Sequence, residues 1–188
     1  MFNNFKLRHI CGFSIKKHMK SKKNLILLGM MGSGKSTIGN LLSKKLGINF
    51  VDIDGLIEKL TKMTISQIFL KNGEKYFRDL EEKVTMKSLS STNTVISLGG
   101  GVFMNETIRT EVIKNHFSFW LNLDTPTLLN RIKKSKKRPI VLKLNDCEIV
   151  KLIESRAKTY SKAKFKINCY KLPKTEIVKK IIKLYEYC

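Results

Sequence analysis

The chain has 188 residues, 37 Lys and Arg against 15 Asp and Glu, and a formal net charge of +22. That length suits one domain with a substantial core, and no apolar run is long enough to span a bilayer. Its four scattered cysteines (Cys11, Cys147, Cys169 and Cys188) and three dispersed histidines argue against a disulfide frame and against a zinc site, and point to reduced thiols in the cytoplasm.

Residues 1–23 contain no Asp or Glu, several Lys, and Phe2, Phe5 and Phe13. A transit peptide is one reading. A disordered basic arm, or a lead upstream of a start at Met19, fits better, because serines are few and no apolar stretch is sustained. Residues 24–188 are read as a single domain. Asn24-Leu-Ile-Leu-Leu28 is a short apolar run with the character of a buried parallel strand. It leads into Gly29-Met-Met-Gly-Ser-Gly-Lys-Ser-Thr37, which fits G-x-x-x-x-G-K-[ST]. Ile38, Leu41, Leu42 and Leu46 then recur at helical spacing. Strand, glycine loop and helix aim successive backbone N–H groups and a positive helix end at one point, where a polyphosphate belongs. Lys35 can reach the β- and γ-phosphates, and the Ser36 hydroxyl can ligate Mg²⁺.

Asn49 to Asp54 reads as a second strand with two carboxylates at its end. If the strand persists, Asp52 and Asp54 point the same way, one toward a metal and the other toward a substrate hydroxyl. They read equally well as turn or capping aspartates of a helix starting near Gly55. Thr64 to Ser90 is helical, with a break at Lys71-Asn72-Gly73. Arg78 has Glu74 four residues before it and Glu81 three after, so it is either a salt-bridged surface residue or a fork held for an anionic substrate. Asn93 to Leu98 is a third strand running into Gly99-Gly100-Gly101. Such a run is expected where a ligand or backbone must approach closely, a loose turn being the alternative. Helices follow at 106–115, 125–133, 146–160 and 176–185, with strands at 117–122 and 164–168. Residues 135–143 form a basic, proline-containing connection. The alternation predicts an α/β protein, a three-layer αβα sandwich around a five-stranded parallel sheet, and the phosphate loop after its first strand points to the P-loop NTPase fold.

The net charge raises nucleic-acid binding as a possibility. The lysines, however, are spread over the whole chain without an aromatic-interleaved basic segment, and charge alone specifies a partner weakly. Neither a specific nucleic acid nor a membrane is expected as a partner. The lysine excess makes the six arginines informative, since only arginine offers a planar fork. Arg8 and Arg109 are read as chance retentions.

In this order and at these distances, the segments resemble the shikimate kinases, small P-loop kinases of the nucleoside-monophosphate-kinase-like fold. The resemblance runs from about Asn24 to Ile182. It is carried by residues 29–37, Asp52-Ile-Asp54, Gly73-Glu-x-x-Phe-Arg-x-x-Glu81, Leu98-Gly-Gly-Gly101, Arg131 with Arg138-Pro139, and Arg156-x-x-x-Tyr160. It implies ATP-dependent phosphorylation of the shikimate 3-hydroxyl by a cytoplasmic monomer. Asp54, Arg78, Gly100 and Arg156 would hold shikimate, within a helical region at about 54–85. Gly32, Ser33, Gly34, Lys35, Ser36 and Thr37 would hold the ATP phosphates, with Arg131 by the adenine. Ser36 and, through water, Asp52 would attend one Mg²⁺. Lys35, Asp54 and Arg138 would be catalytic, Arg138 on a lid at about 132–145. Two features depart from the family pattern. The run after Tyr160 is one residue short, and an adenine-side basic residue has no clear match, Lys171 being the nearest candidate. A gluconate- or nucleoside-monophosphate-type kinase and a non-catalytic nucleotide- or nucleic-acid-binding relative remain the alternatives.

Overall fold

Strand β1 (Leu25–Leu28) is apolar throughout and buried at every position, so it needs cover on both faces and occupies the middle of the sheet. The structure is a computed structural model that describes residues 23–134 and 144–187. The other strands are β2 (Asn49–Asp52), β3 (Thr94–Ser97), β4 (Phe117–Asn122) and β5 (Phe165–Asn168). All pairings are parallel, in the order β2-β3-β1-β4-β5. Seven helices flank the sheet among the described residues: α1 (Lys35–Leu46), α2 (Ile53–Thr61), α3 (Ile65–Leu89), α4 (Glu106–Asn115), α5 (Thr125–Lys134), α6 (Asp146–Tyr160) and α7 (Lys174–Glu186). The α/β architecture and five-stranded parallel sheet are as the alternation predicts.

The edge strand β5 alternates half-buried Phe165 and buried Ile167 with exposed Lys166 and Asn168. The Lys166 ammonium lies 4.8 Å above the Trp120 ring and Lys164 lies 4.8 Å above Phe117. Lysines along an edge discourage pairing with another chain. The register of β5, left open by the short run after Tyr160, is set by Phe119 opposite Phe165 and by a Lys164 N–H bond to Ser118 Oγ at 2.9 Å.

Three boundaries differ by two residues from the sequence expectation. Strand β2 stops at Asp52 rather than Asp54, and α2 starts at Ile53 rather than near Gly55. Asp52 Oδ1 accepts from the Gly55 N–H at 3.2 Å, capping the helix and ending the strand. Asp52 and Asp54 therefore do not share a strand face. Helix α3 starts at a Thr64–Gln67 capping box and bends at Gly73, whose φ of 81° a side chain would resist. Helix α7 begins two residues early, directly after Pro173.

At the amino ends of the strands, fully buried Asn24 ties several segments together. Its Nδ2 donates to the Leu89 and Ser91 carbonyls at 3.0 and 2.8 Å, and its Oδ1 accepts from the Thr94 N–H at 3.1 Å. Among the described residues no helix is long and apolar enough to cross a membrane.

Candidate active site

The chain leaves β1 toward β2 on one side and leaves β3 toward β4 on the other. A crevice opens where connections diverge in this way, at the carboxyl ends of the strands. The glycine loop after β1 and the triple glycine after β3 meet there.

On the loop side, Gly34 has a φ of 95° and hands the chain to α1 at Lys35. Lys35 is 8% exposed, and its ammonium donates to the Gly29 and Met30 carbonyls at 2.9 and 3.0 Å. The Ser36 hydroxyl donates to Asp52 Oδ2. Asp52 thus uses one oxygen to cap α2, as the capping reading expects, and turns the other toward the phosphate loop. Arg131 reaches across from α5 and donates to the Gly32 carbonyl at 3.0 Å. A cavity of about 570 Å³ is walled by Gly32 to Thr37 together with Asp52, Asp54 and Arg131. Lys174 also lines it, while Lys171 sits over the Tyr170 ring at 5.1 Å.

The triple glycine explains the other side. A β-carbon on Gly99 would lie 2.7 Å from Asp54 Oδ1, and one on Gly101 would lie 2.9 Å from Arg78 Nη1. One on Gly100 would lie 3.3 Å from the Met31 amide nitrogen and 3.5 Å from Arg156 Nη1. Side chains here would collide with Asp54 and Arg78 and crowd Arg156, so close approach accounts for the glycines and a loose turn does not. The Tyr160 hydroxyl anchors the segment by donating to the Gly100 carbonyl at 2.5 Å.

Arg78 is fixed before any ligand arrives. Its Nε and Nη2 donate to Glu74 Oε1 at 3.3 and 3.2 Å, and its Nη1 donates to Glu81 Oε2 at 2.6 Å. The guanidinium also lies 5.2 Å from the Phe77 ring centre. Burial pulls its pKa down, but Glu81 and then Glu74 outweigh that and hold it above the ordinary arginine value. Arg156 is 9% exposed, with Nη1 3.8 Å from Met30 Sδ. Two forks and a carboxylate thus surround a floor of bare backbone, next to a phosphate loop.

Arg138 and most of the proposed lid lie outside the described residues, as do residues 1–22. Sequence reasoning missed two contacts. Asn105 Nδ2 donates to Glu82 Oε2 at 2.7 Å, and Arg109 Nη1 donates to the Phe103 and Met104 carbonyls at 3.2 and 2.9 Å. Arg109 is therefore no chance retention: it holds the turn after the triple glycine. Its one available signal was the scarcity of arginine. No cluster of three or more His, Cys, Asp or Glu able to hold a metal occurs among the described residues.

A family model described as shikimate kinase matches residues 31–186. A shikimate kinase of Bartonella quintana is 38% identical over 180 residues, covering 94% of this chain and 86% of that protein. One from Thermodesulfovibrio yellowstonii is 40% identical over 87% of this chain and 95% of its own. Among solved structures, a shikimate kinase from Acinetobacter baumannii in complex with shikimate superposes with a TM-score of 0.84 at 30% identity, covering 90% of this chain and 96% of that one. A deoxyadenosine kinase from M. mycoides, 19% identical with a TM-score of 0.58 over 87% of this chain and 98% of that one, shares the fold.

Proposed function

The chain belongs to the shikimate kinase family, and we propose that it transfers the γ-phosphoryl group of ATP to the 3-hydroxyl of shikimate across the crevice between the two glycine segments. The observation that carries this reading is their juxtaposition. The floor of the acceptor side passes within reach of the phosphate loop, with a Gly100 β-carbon position 3.3 Å from the Met31 nitrogen. Donor and acceptor sites therefore share a wall.

Gly32 to Thr37 cradle the ATP phosphates through backbone N–H groups. Lys35 leaves its two carbonyl partners for the β- and γ-oxygens, exchanging neutral acceptors for charged ones. Arg131 lies along the nucleotide. On the acceptor side Arg78 and Arg156 grip the carboxylate of shikimate, while Asp54 and the Gly100 backbone meet ring hydroxyls. The 3-hydroxyl oxygen forms its bond to the γ-phosphorus as the bond to the β–γ bridging oxygen breaks. The hydroxyl proton passes to the Asp54 carboxylate, and ADP leaves with the bridging oxygen. Because such a transition state is loose, placement and charge neutralisation supply most of the rate. Arg138, outside the described residues, is read from the sequence as a cation for the moving phosphoryl.

One Mg²⁺ suits the donor set. Ser36 Oγ and Asp52 Oδ2 already touch at the mouth of the loop, two hard oxygens of the kind Mg²⁺ takes beside phosphate oxygens and water. When bound, the ion neutralises charge on the β- and γ-phosphates. The same reading makes the chain a cytoplasmic monomer. The cytoplasmic part of that reading is supported by the free thiols of Cys147 and Cys169.

A coupled ADP-release assay with ATP, Mg²⁺ and shikimate, quinate or gluconate tests the acceptor. ADP release is expected with shikimate, matched by equal formation of a phosphate ester. Equal turnover with gluconate, or none with shikimate, would overturn the assignment.

A further inference from the structure

We propose that Glu82 and Asn105 form a positioning pair that sets the width of the acceptor pocket, an inference that rests on the shikimate reading above. The pocket floor, Gly99 to Gly101, has no side chains and cannot be located by packing of its own. Its placement against α3 matters, because a Gly101 β-carbon position lies only 2.9 Å from Arg78 Nη1. The Tyr160 hydroxyl ties Gly100 to α6, and the separation from α3 calls for a contact made by α3 itself.

Arg78 and Glu82 are four residues apart on α3 and so project from one helix face. Glu82 Oε2 accepts from Asn105 Nδ2 at 2.7 Å, in a half-buried, charge-assisted hydrogen bond. Asn105 is also the cap of α4, its Oδ1 accepting from the Ile108 N–H at 3.1 Å. It ends the short turn Val102–Met104 that continues the glycine floor, and Arg109 clasps the Phe103 and Met104 carbonyls of that turn from α4. The floor is thus joined to α4 through its cap and to α3 through Glu82. Arg78, Glu82, Gly101, Asn105 and Arg156 line one hollow of about 390 Å³. Glu82 therefore acts through Asn105, holding Arg78 and the glycine floor at a constant separation.

The test is a swap. Asn105→Asp keeps a good helix cap but sets carboxylate against carboxylate. Glu82→Gln alone keeps an acceptor for Asn105. In the double variant the new amide can donate to the new carboxylate, restoring the bridge with reversed polarity. We expect Asn105→Asp to raise the KM for shikimate roughly fivefold or more while the KM for ATP moves less than about twofold. The double variant should return the shikimate KM to within about twofold of the unsubstituted enzyme. Each variant's melting temperature is measured alongside. An unchanged shikimate KM in Asn105→Asp, with or without a lower melting temperature, would overturn the proposal, as would a double variant that folds equally well without recovery. Absence of shikimate turnover in the unsubstituted enzyme would instead defeat the acceptor reading itself, and the pair's role with it.

Discussion

Arg78 is held by two carboxylates of very different exposure, and the difference decides what a substitution there does. The Glu74 side chain is 61% exposed and that of Glu81 only 5%. The outer ion pair is screened and worth little, whereas removing the inner cation would take a close charge partner from a buried carboxylate. Arg78→Lys keeps the charge but loses the fork. Its hydrogen bonds to Glu74 and Glu81 use three of the five N–H donors of the guanidinium, leaving two for a ligand. A lysine satisfying Glu81 has no planar pair left to offer a substrate carboxylate. The expected outcome is a roughly tenfold to hundredfold higher KM for shikimate, with the KM for ATP nearly unchanged, the range following from one or two lost charge-assisted bonds. Steady-state kinetics with each substrate varied in turn would check it, and normal shikimate affinity would remove Arg78 from the site. The candidates at this scale were legible because arginine is rare in a chain rich in lysine. Spacing also marked the partners of Arg78, Glu74 and Glu81, but not those of Arg109 or Tyr160. Arg109 grips two carbonyls for a structural purpose, and residue scarcity cannot separate that job from substrate binding. The hydroxyl of Tyr160 reaches Gly100 across 60 positions of sequence, a distance no spacing rule covers.

At the scale of elements, strand and helix order was readable from the apolar runs, while the ends depended on side chains that cap. Asp52 shows why. A carboxylate two residues inside an expected strand end accepted the Gly55 N–H, and the helix began there instead. The break in α3 was visible because Lys71-Asn72-Gly73 interrupts the helical pattern, and only Gly73 takes the left-handed φ. Asn24 was read merely as the first residue of a strand, yet it joins β1 to the end of α3, the following turn and the start of β3. Asn24→Ala would strip partners from the Leu89 and Ser91 carbonyls and the Thr94 N–H at a fully buried position. Ser91 is exposed and its carbonyl can turn to water, but the two buried groups cost about 1–3 kcal/mol each, so a loss of about 2 kcal/mol or more is expected, or roughly 4–8 °C in melting temperature for a chain of this size. Asn24→Asp should do no better, because it keeps the acceptor for Thr94 but turns a carboxylate toward two carbonyls. Thermal unfolding followed by circular dichroism decides the matter. A shift below about 2 °C for Asn24→Ala would mean that neighbouring groups take up the freed partners.

For the molecule as a whole, the parallel sheet separates two tasks. The carboxyl ends of its strands carry the crevice, and the amino ends carry the brace around Asn24, so conditions that weaken one end need not touch the other. His116 sits at the brace end, 8% exposed, and its Nδ1 accepts from the Asn24 N–H at 3.3 Å. Its Nε2 faces Glu111 Oε1 at 3.6 Å. Burial is the main force on this imidazole and lowers its pKa; Glu111 opposes that and Lys23 adds to it, leaving the net value depressed. The folded state therefore holds His116 neutral where the unfolded chain, with an ordinary histidine pKa of about 6.5, begins to bind a proton. Stability from this group is complete above that unfolded value. It is lost as pH falls from there toward the lower folded pKa, at a slope of at most about 1.4 kcal/mol per pH unit for a single proton. Protonating Nδ1 would also abolish its role as acceptor for Asn24. Urea unfolding at pH 7.5 and pH 5.0 should show lower stability at the acid end, and His116→Gln should flatten that difference. Phosphoryl transfer by the folded enzyme should be equally pH-dependent in both proteins, because His116 lies at the far end of β1 from the phosphate loop. If His116→Gln changed the pH profile of kcat and left the unfolding difference intact, the proposed division between the two ends of the sheet would be wrong.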